Sequence, residues 1–442
     1  MQSQQPELLS PAGSLKAMRL AFAYGADAVY AGQPRFSLRV RNNEFDLPTL
    51  ATGIAEAHQL GKKFYVVVNI APHNSKLTRF VEDMAPVVAL QPDALIVSDP
   101  GVIYLLQQHF PQMPLHLSVQ ANTVNWAAVK FWQAQGVERV ILSRELAVEE
   151  IAEIRRQVPE MELEVFVHGA LCMAYSGRCL LSGYINKRDP NQGTCTNACR
   201  WSYQVHPATE DAVGQFAPKN QPVSEPVLIE EQGRPGELMA MEEDEHGSYI
   251  LNSKDLRAIA HVKALTEMGV HSLKIEGRTK SPYYVARTAQ VYRRAIDDAV
   301  AGKDFDASLL QELDGMANRG FTEGFLRRHL PQDLQNYQTS HSVGQQQLVG
   351  EFIGEPDAEG YALVEVKNQF AVGDQLVLMS PQGNQSFVLQ ELQDKQGQAL
   401  LLAPGACYQL RVRVAETASL QHAMLLKQLP KTQSSGAQRA VG

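Results

Sequence analysis

The chain lacks a stretch long enough to cross a membrane: no apolar run reaches the ~18–20 residues a helical span needs. Its start, Met1-Gln-Ser-Gln-Gln-Pro6, has neither the basic head nor the apolar run of a secretory leader, so the expectation is a cytoplasmic protein with reduced thiols. Positive charge is not in excess. Lys and Arg number 40 against 48 Asp and Glu, a formal net charge of −8. That argues against a non-specific nucleic-acid binder and confines any RNA site to a local basic patch. There is no Gly-x-Gly-x-x-Gly turn for a dinucleotide and no His-Glu-x-x-His for a zinc peptidase. Cysteine is scarce, at five in 442 residues, yet four of the five fall within one segment of 28.

Those four are Cys172, Cys179, Cys195 and Cys199, separated by six, fifteen and three residues. Core packing does not require such clustering, because a buried free cysteine behaves as a small hydrophobe. Cys407 stands far away in a strand-like run and reads as a core residue of that kind. A shared site is the simplest account of the other four. A disulfide pair is disfavoured in a reducing compartment. Structural zinc usually takes two short knuckles, and only Cys195/Cys199 is one. An iron–sulfur cluster takes four thiolates at looser spacing. Spacing alone leaves zinc and iron–sulfur level.

The first ~300 residues alternate helical periodicity with short apolar strands. The strands read as 7–10, 28–31, 64–69, 94–98, 115–120, 139–143, 164–167 and 272–276. Turns such as Gly25-Ala26-Asp27, Gly61-Lys62-Lys63 and Gly136-Val137-Glu138 precede them, with glycine where a helix C-cap needs it. Eight mostly apolar strands, each followed by a helical segment, predict a (β/α)8 TIM-like barrel over 1–330. Ser281-Pro282 predicts an N-cap and first helical residue, and a second helix is expected from Ser253. A Cys-rich insertion, 171–250, follows strand seven. Residues 331–347 read as a linker, 348–430 as a small β-barrel of short strands, and 431–442 as a disordered tail.

In such a barrel the chemistry sits at the carboxyl ends of the strands. Those ends carry Ser10, Gln33, Asn69, Asp99, Ser118, Gln120, Arg144, His168 and the run Lys274 to Arg278. The loop after strand two holds Arg35, Arg39 and Arg41, whose guanidinium forks suit carboxylate or phosphate.

At the cysteine segment the sequence resembles the collagenase-like U32 peptidase family. The resemblance lies in Glu164-Val-Phe-Val-His-Gly-Ala-Leu-Cys172 with Gly177-Arg-Cys179-Leu-Leu-Ser182, in Leu8-Leu-Ser-Pro-Ala-Gly13, and in Gly25-Ala-Asp-Ala-Val-Tyr30. It continues in Lys274-Ile-Glu-Gly-Arg278 and Asn318-Arg-Gly-Phe-Thr-Glu-Gly-Phe325. Within the family, Arg39-Val-Arg-Asn-Asn-Glu-Phe45 and the stretch Ser182 to Cys195 are similar to members that hydroxylate tRNA. The resemblance implies prephenate-dependent hydroxylation at carbon 5 of the wobble uridine, with tRNA bound through its anticodon loop. It also implies a 4Fe–4S cluster on Cys172, Cys179, Cys195 and Cys199. Prephenate has two carboxylates, so Arg39, Arg41, Arg144, Lys274 and Arg278 are its candidate partners. His168 and Glu276 are candidate catalytic groups, and Lys187, Arg188 and Arg200 candidate phosphate contacts, with Tyr184, Trp201 or Phe36 to stack on the base. The rival readings are a peptidase using His168 with Cys172, and a zinc-containing RNA-binding or assembly factor.

Overall fold

The structure, a computed structural model of the chain, describes residues 5–33, 35–38, 44–171, 254–318, 320–327, 346–414 and 419–429. Between 208 and 248 it describes only short strand backbones. The cysteine segment from 172, the arginine loop 39–43, the linker and the tail lie outside the described residues. The chain divides into two compact units. One comprises 1–22, 26–306 and 319–342, the other 23–25, 307–318 and 343–442.

The first unit is a closed barrel of eight parallel strands. They are β1 Glu7–Pro11, β2 Ala28–Gly32, β3 Lys63–Val68, β4 Ala94–Val97, β5 Leu115–Leu117, β6 Arg139–Ile141, β7 Glu162–Ala170 and β8 Ser272–Ile275. Each pairs with the next in parallel, β7 pairs β8, and β8 pairs β1 to close the cylinder. Local chemistry enforces the repeat. After the helix Leu47–Gln59, Gly61 takes a left-handed φ of 65°, which ends the helix and feeds β3. The turn aspartates tie successive units together, each carboxylate accepting from an N–H near the start of the preceding strand. Asp27 accepts from Leu8 N at 2.9 Å, and Asp93 from Phe64 N at 2.8 Å. The helix Pro282–Val300 starts where the sequence places it, with Ser281 accepting from Tyr284 N.

One expectation fails beside β7. Residues after Ser253 do not begin a helix; Asp255–Arg257 is a short strand antiparallel to the end of β7, and the helix begins at Val262. The last residues of β7 run beyond the barrel and offer free backbone groups, which this strand satisfies.

The second unit is an open antiparallel sheet rather than the small β-barrel expected from its short strands. Its spatial order is Gly383–Val388, Gln375–Ser380, Met424–Gln428, Gln346–Ile353, Tyr361–Val366, Gln409–Arg413, Leu392–Gln393 and Ala399–Leu400, and among the described residues its two edge strands do not pair. The edge strand Gly383–Val388 is polar and exposed, so it buries too little apolar surface to drive closure. Cys407 is exposed rather than core, at a turn where its φ is 76°.

Candidate active site at the barrel mouth

Strand alternation fixes which side chains enter the cylinder. Glu7 and Ser272 share a hydrogen bond, as do Lys274 and Glu164, so odd positions of β1 and even positions of β7 and β8 face inward. The interior is therefore layered. At the amino end Arg139 donates to Glu7 at 2.6 Å and Glu162 at 2.8 Å, with Tyr65 donating to the same Glu7 carboxylate at 2.7 Å. Burial alone would push the Glu7 carboxyl up, but the Arg139 guanidinium outweighs it and holds it below its ordinary value. This cluster plugs the bottom of the barrel.

Halfway up, Lys274 donates to Glu164 at 2.7 Å, both side chains almost wholly buried. Burial pushes the Lys274 ammonium below its ordinary value, while Glu164 and Glu276 pull the other way. Lys274 faces two rings, Tyr30 at 4.4 Å and Phe166 at 5.4 Å from their centroids. The same rings are faced by arginines: Arg144 lies 3.9 Å from the Phe166 centroid and Arg278 lies 5.8 Å from that of Tyr30. Lys274 is thus beneath the site, committed to Glu164.

The mouth itself divides into two arcs. One is charged. Arg144 donates to Glu276 Oε2 and to the Ala170 carbonyl, both at 2.8 Å, and Arg278 donates to Ser37 Oγ at 2.6 Å. Gly32 makes room for Arg278: a Cβ there would stand 2.3 Å from its Nη1. The ends of β7 and β8 touch at Gly169, whose φ of 107° and lack of a side chain admit the Glu276 carbonyl, 2.5 Å from where a Cβ would be. The other arc, at the ends of β3, β4 and β5, is uncharged. Asn69 donates to Ser118 and Gln120, and Ser98 donates to the Asn69 carbonyl.

His168 is in neither arc. The pairing register shifts between Lys274/Phe166 and Ile275/His168, an extra residue in β7 that reverses the alternation. His168 consequently faces outward, onto the helix Pro282–Val300. It is 1% exposed, its Nδ1 is 3.3 Å from the Tyr292 hydroxyl, and the rings of Tyr284, Tyr292 and Phe321 surround it. Burial pushes its pKa down to about 3, with Asp255 opposing and Arg257 and Lys280 adding to the shift. The imidazole is neutral and packed.

Of the candidates read from sequence, Arg144, Lys274, Glu276 and Arg278 converge at or just under the mouth. Arg39, Arg41, Lys187, Arg188, Arg200, Cys172, Cys179, Cys195 and Cys199 lie outside the described residues. Phe36 is no platform: it is fully buried, edge-on to Phe80. Ser10 also points away from the mouth, being on an outward position of β1, and Asp99 caps the helix Pro100–His109 through Val102 N. Sequence reading missed Glu164, Tyr30 and Phe166 as the floor of the site. The signal was present: a carboxylate inside an apolar strand demands a buried partner.

Among its described residues, the second unit offers little to phosphate. Its described residues from 346 onward carry five basic side chains against eight acidic ones. Lys367, Arg411, Arg413 and Lys427 are each in an ion pair with a carboxylate.

Comparison with known proteins gives a consistent result. A family model described as Peptidase family U32 matches residues 13–336, and one described as Peptidase family U32 C-terminal domain matches 344–427. The chain is 65% identical over 439 residues to "tRNA hydroxylation protein P" of Escherichia coli, covering 96% of this chain and 97% of that one. It is 59% identical over 447 residues to the protein of the same name in Haemophilus influenzae, covering 97% of each. It is 34% identical over 295 residues to the "23S rRNA 5-hydroxycytidine C2501 synthase" of Escherichia coli, covering 67% of this chain and 40% of that one. Among the described residues, no helix is long and apolar enough to cross a membrane.

Proposed function

The chain belongs to peptidase family U32, and from that premise we propose that it is a tRNA-modifying enzyme that hydroxylates carbon 5 of the wobble uridine with prephenate as co-substrate. The observation that carries this reading is the 65% identity, over nearly the full length of both chains, to a protein named for tRNA hydroxylation. The barrel mouth supports it. Two substrates of unlike charge need two unlike surfaces, and the mouth has a guanidinium arc beside a neutral amide arc. In this reading Arg144 and Arg278 hold the carboxylates of prephenate. Lys274, tied to Glu164 below the rings, steadies the floor under them. Glu276 keeps the Arg144 plane fixed until a carboxylate ligand takes its place.

Oxidation of an unactivated pyrimidine carbon exceeds what side chains do, so a redox group is part of the proposal. A 4Fe–4S cluster on Cys172, Cys179, Cys195 and Cys199 would supply one-electron chemistry. Its support is the clustering of four thiols within 28 residues, beginning two residues after Ala170, the end of β7 at the mouth. Arg39 and Arg41 would add to the anion site, and Lys187, Arg188 and Arg200 to phosphate binding.

The peptidase reading suggested by the family's description needs a base for Cys172. His168 is ill suited: it is buried among three rings on the outside of the barrel, and with a pKa of about 3 it is too weak a base to take the proton of a thiol. The test is nucleoside mass spectrometry of tRNA from a strain lacking this gene, with and without a block in prephenate supply. Loss of the hydroxylated wobble uridine in both strains, restored by the gene only when prephenate is made, is the expected result. Unaltered tRNA in the deletion strain would remove the proposal.

A further inference from the structure

At the neutral arc, the ends of β3 and β5 carry a chain of hydrogen bonds whose direction is fixed. Leu38 N donates to Asn69 Oδ1 at 3.2 Å. A backbone N–H can only donate, so the Asn69 amide is turned with its oxygen toward Leu38. Its NH2 then donates to Ser118 Oγ at 3.2 Å and to Gln120 Oε1 at 3.1 Å. The Ser118 hydroxyl donates to the same Gln120 oxygen. Two donors therefore hold the Gln120 oxygen, and a flip of the amide would set its NH2 against that of Asn69. Its Nε2 is left with no partner among the described residues. The backbone beneath is anchored as well: Ser98 Oγ donates to the Asn69 carbonyl at 3.0 Å, and Asn122 Nδ2 to the Gln120 carbonyl at 2.9 Å. Asn69 and Ser118 are buried, while Gln120 is half-buried.

A fixed NH2 without an acceptor reads acceptors. Uracil presents its O4 acceptor at the position where cytosine presents the N4 amino donor. We propose that Gln120, oriented by Asn69 and Ser118, selects uracil over cytosine by donating from Nε2 to O4 of an unpaired base. This rests on the reading that the mouth admits a pyrimidine from an RNA loop. The arc carries no charge, which suits a neutral base and not the dianionic partner held by the arginines opposite. Cytosine would set donor against donor, leaving two polar groups unmade in a partly dry site. O4 is borne on the carbon next to C5, so the same bond also holds the reacting carbon in one place.

The test uses the full chain and two RNA stem-loops that differ only in U or C at the target position, with binding followed by fluorescence anisotropy. The wild type should bind the U loop about five- to tenfold more tightly, the worth of one such bond. Gln120→Leu should lose the difference, with U-loop affinity falling to that of the C loop. Gln120→Glu, which turns the donor into an acceptor, should reverse the preference. Equal binding of both loops by the wild type, or an unchanged ratio in both variants, overturns the assignment while leaving the tRNA reading intact. Failure of the wild type to bind either loop overturns that reading, and the assignment with it.

Discussion

Lys274 on β8 and Glu164 on β7 form an ion pair of 2.7 Å inside the barrel, where their side chains are 4% and 0% exposed. The pair lies between the bottom plug built on Arg139 and the arginines of the mouth. It neutralises buried charge beneath the rings of Tyr30 and Phe166. Removing Glu164 strands Lys274 in a dry interior, and removing Lys274 leaves Glu164 to its longer contact with Arg139, at 3.3 Å. Lys274→Met or Glu164→Gln alone should cost about 3–5 kcal/mol, whereas the double variant should recover much of that loss. Chemical denaturation of the three variants measures it. Additive losses in the double variant would show the two residues to be independent.

His168 makes the fold acid-sensitive. Its folded pKa, about 3, lies below the ordinary histidine value of 6.5. Between those values the unfolded chain binds a proton that the folded chain does not, so stability falls as pH drops through that window. The slope from this residue is about 1.4 kcal/mol per pH unit. Replacing it with phenylalanine, which keeps the ring packing, should remove that share of the slope between pH 6 and pH 4. Parallel stability profiles for wild type and His168→Phe would contradict the burial argument.

Gly32 and Arg278 make a paired prediction. The Gly32→Ala methyl would meet Arg278 Nη1 and Ser37 Oγ, at 2.3 and 2.6 Å. The flexible guanidinium should yield, leaving the melting temperature little changed. Both Gly32→Ala and Arg278→Ala should weaken prephenate binding about 10- to 100-fold, the worth of a charge-assisted contact. Calorimetric titration reads it, with RNA affinity as the control. A Gly32→Ala protein that binds prephenate normally would place the anion elsewhere.

The barrel was legible because its signals are local. Apolar runs, glycine C-caps and the aspartates of the turns, Asp27 and Asp93, each act within a few residues or on the adjacent strand. What was hidden depended on pairing. The reversal that sends His168 outward comes from one extra residue in β7, set by its register with β8, and nothing in Val165 to Gly169 announces it. The strand Asp255–Arg257 reads as helix in sequence because its partner, the overhanging end of β7, is 85 positions earlier at Asp255↔Ala170. Met424–Gln428, a central strand of the second unit, is masked in sequence by the polar tail beside it. Arg144, Glu276 and Arg278 could be placed at the mouth from sequence. That Arg144 is held by Glu276, and Arg278 by Ser37, could not.

The C-terminal sheet should add little to RNA binding. An acid excess with four of its five described cations in ion pairs leaves few counterions to release. The salt dependence of tRNA affinity should be unchanged when Arg411 and Arg413 are both replaced by glutamine. A slope reduced by about two would assign phosphate contacts to that sheet.

The most direct measurement is reconstitution. The protein, purified without oxygen and loaded with iron and sulfide, is incubated with tRNA from the deletion strain, with or without prephenate, and the nucleosides are weighed by mass spectrometry. A gain of one oxygen on the wobble uridine, dependent on prephenate and lost in both Arg278→Ala and Cys195→Ala, is the predicted result. Hydroxylation that proceeds equally without prephenate, or that survives the loss of Arg278, would contradict a barrel mouth built to hold a dicarboxylate beside a base.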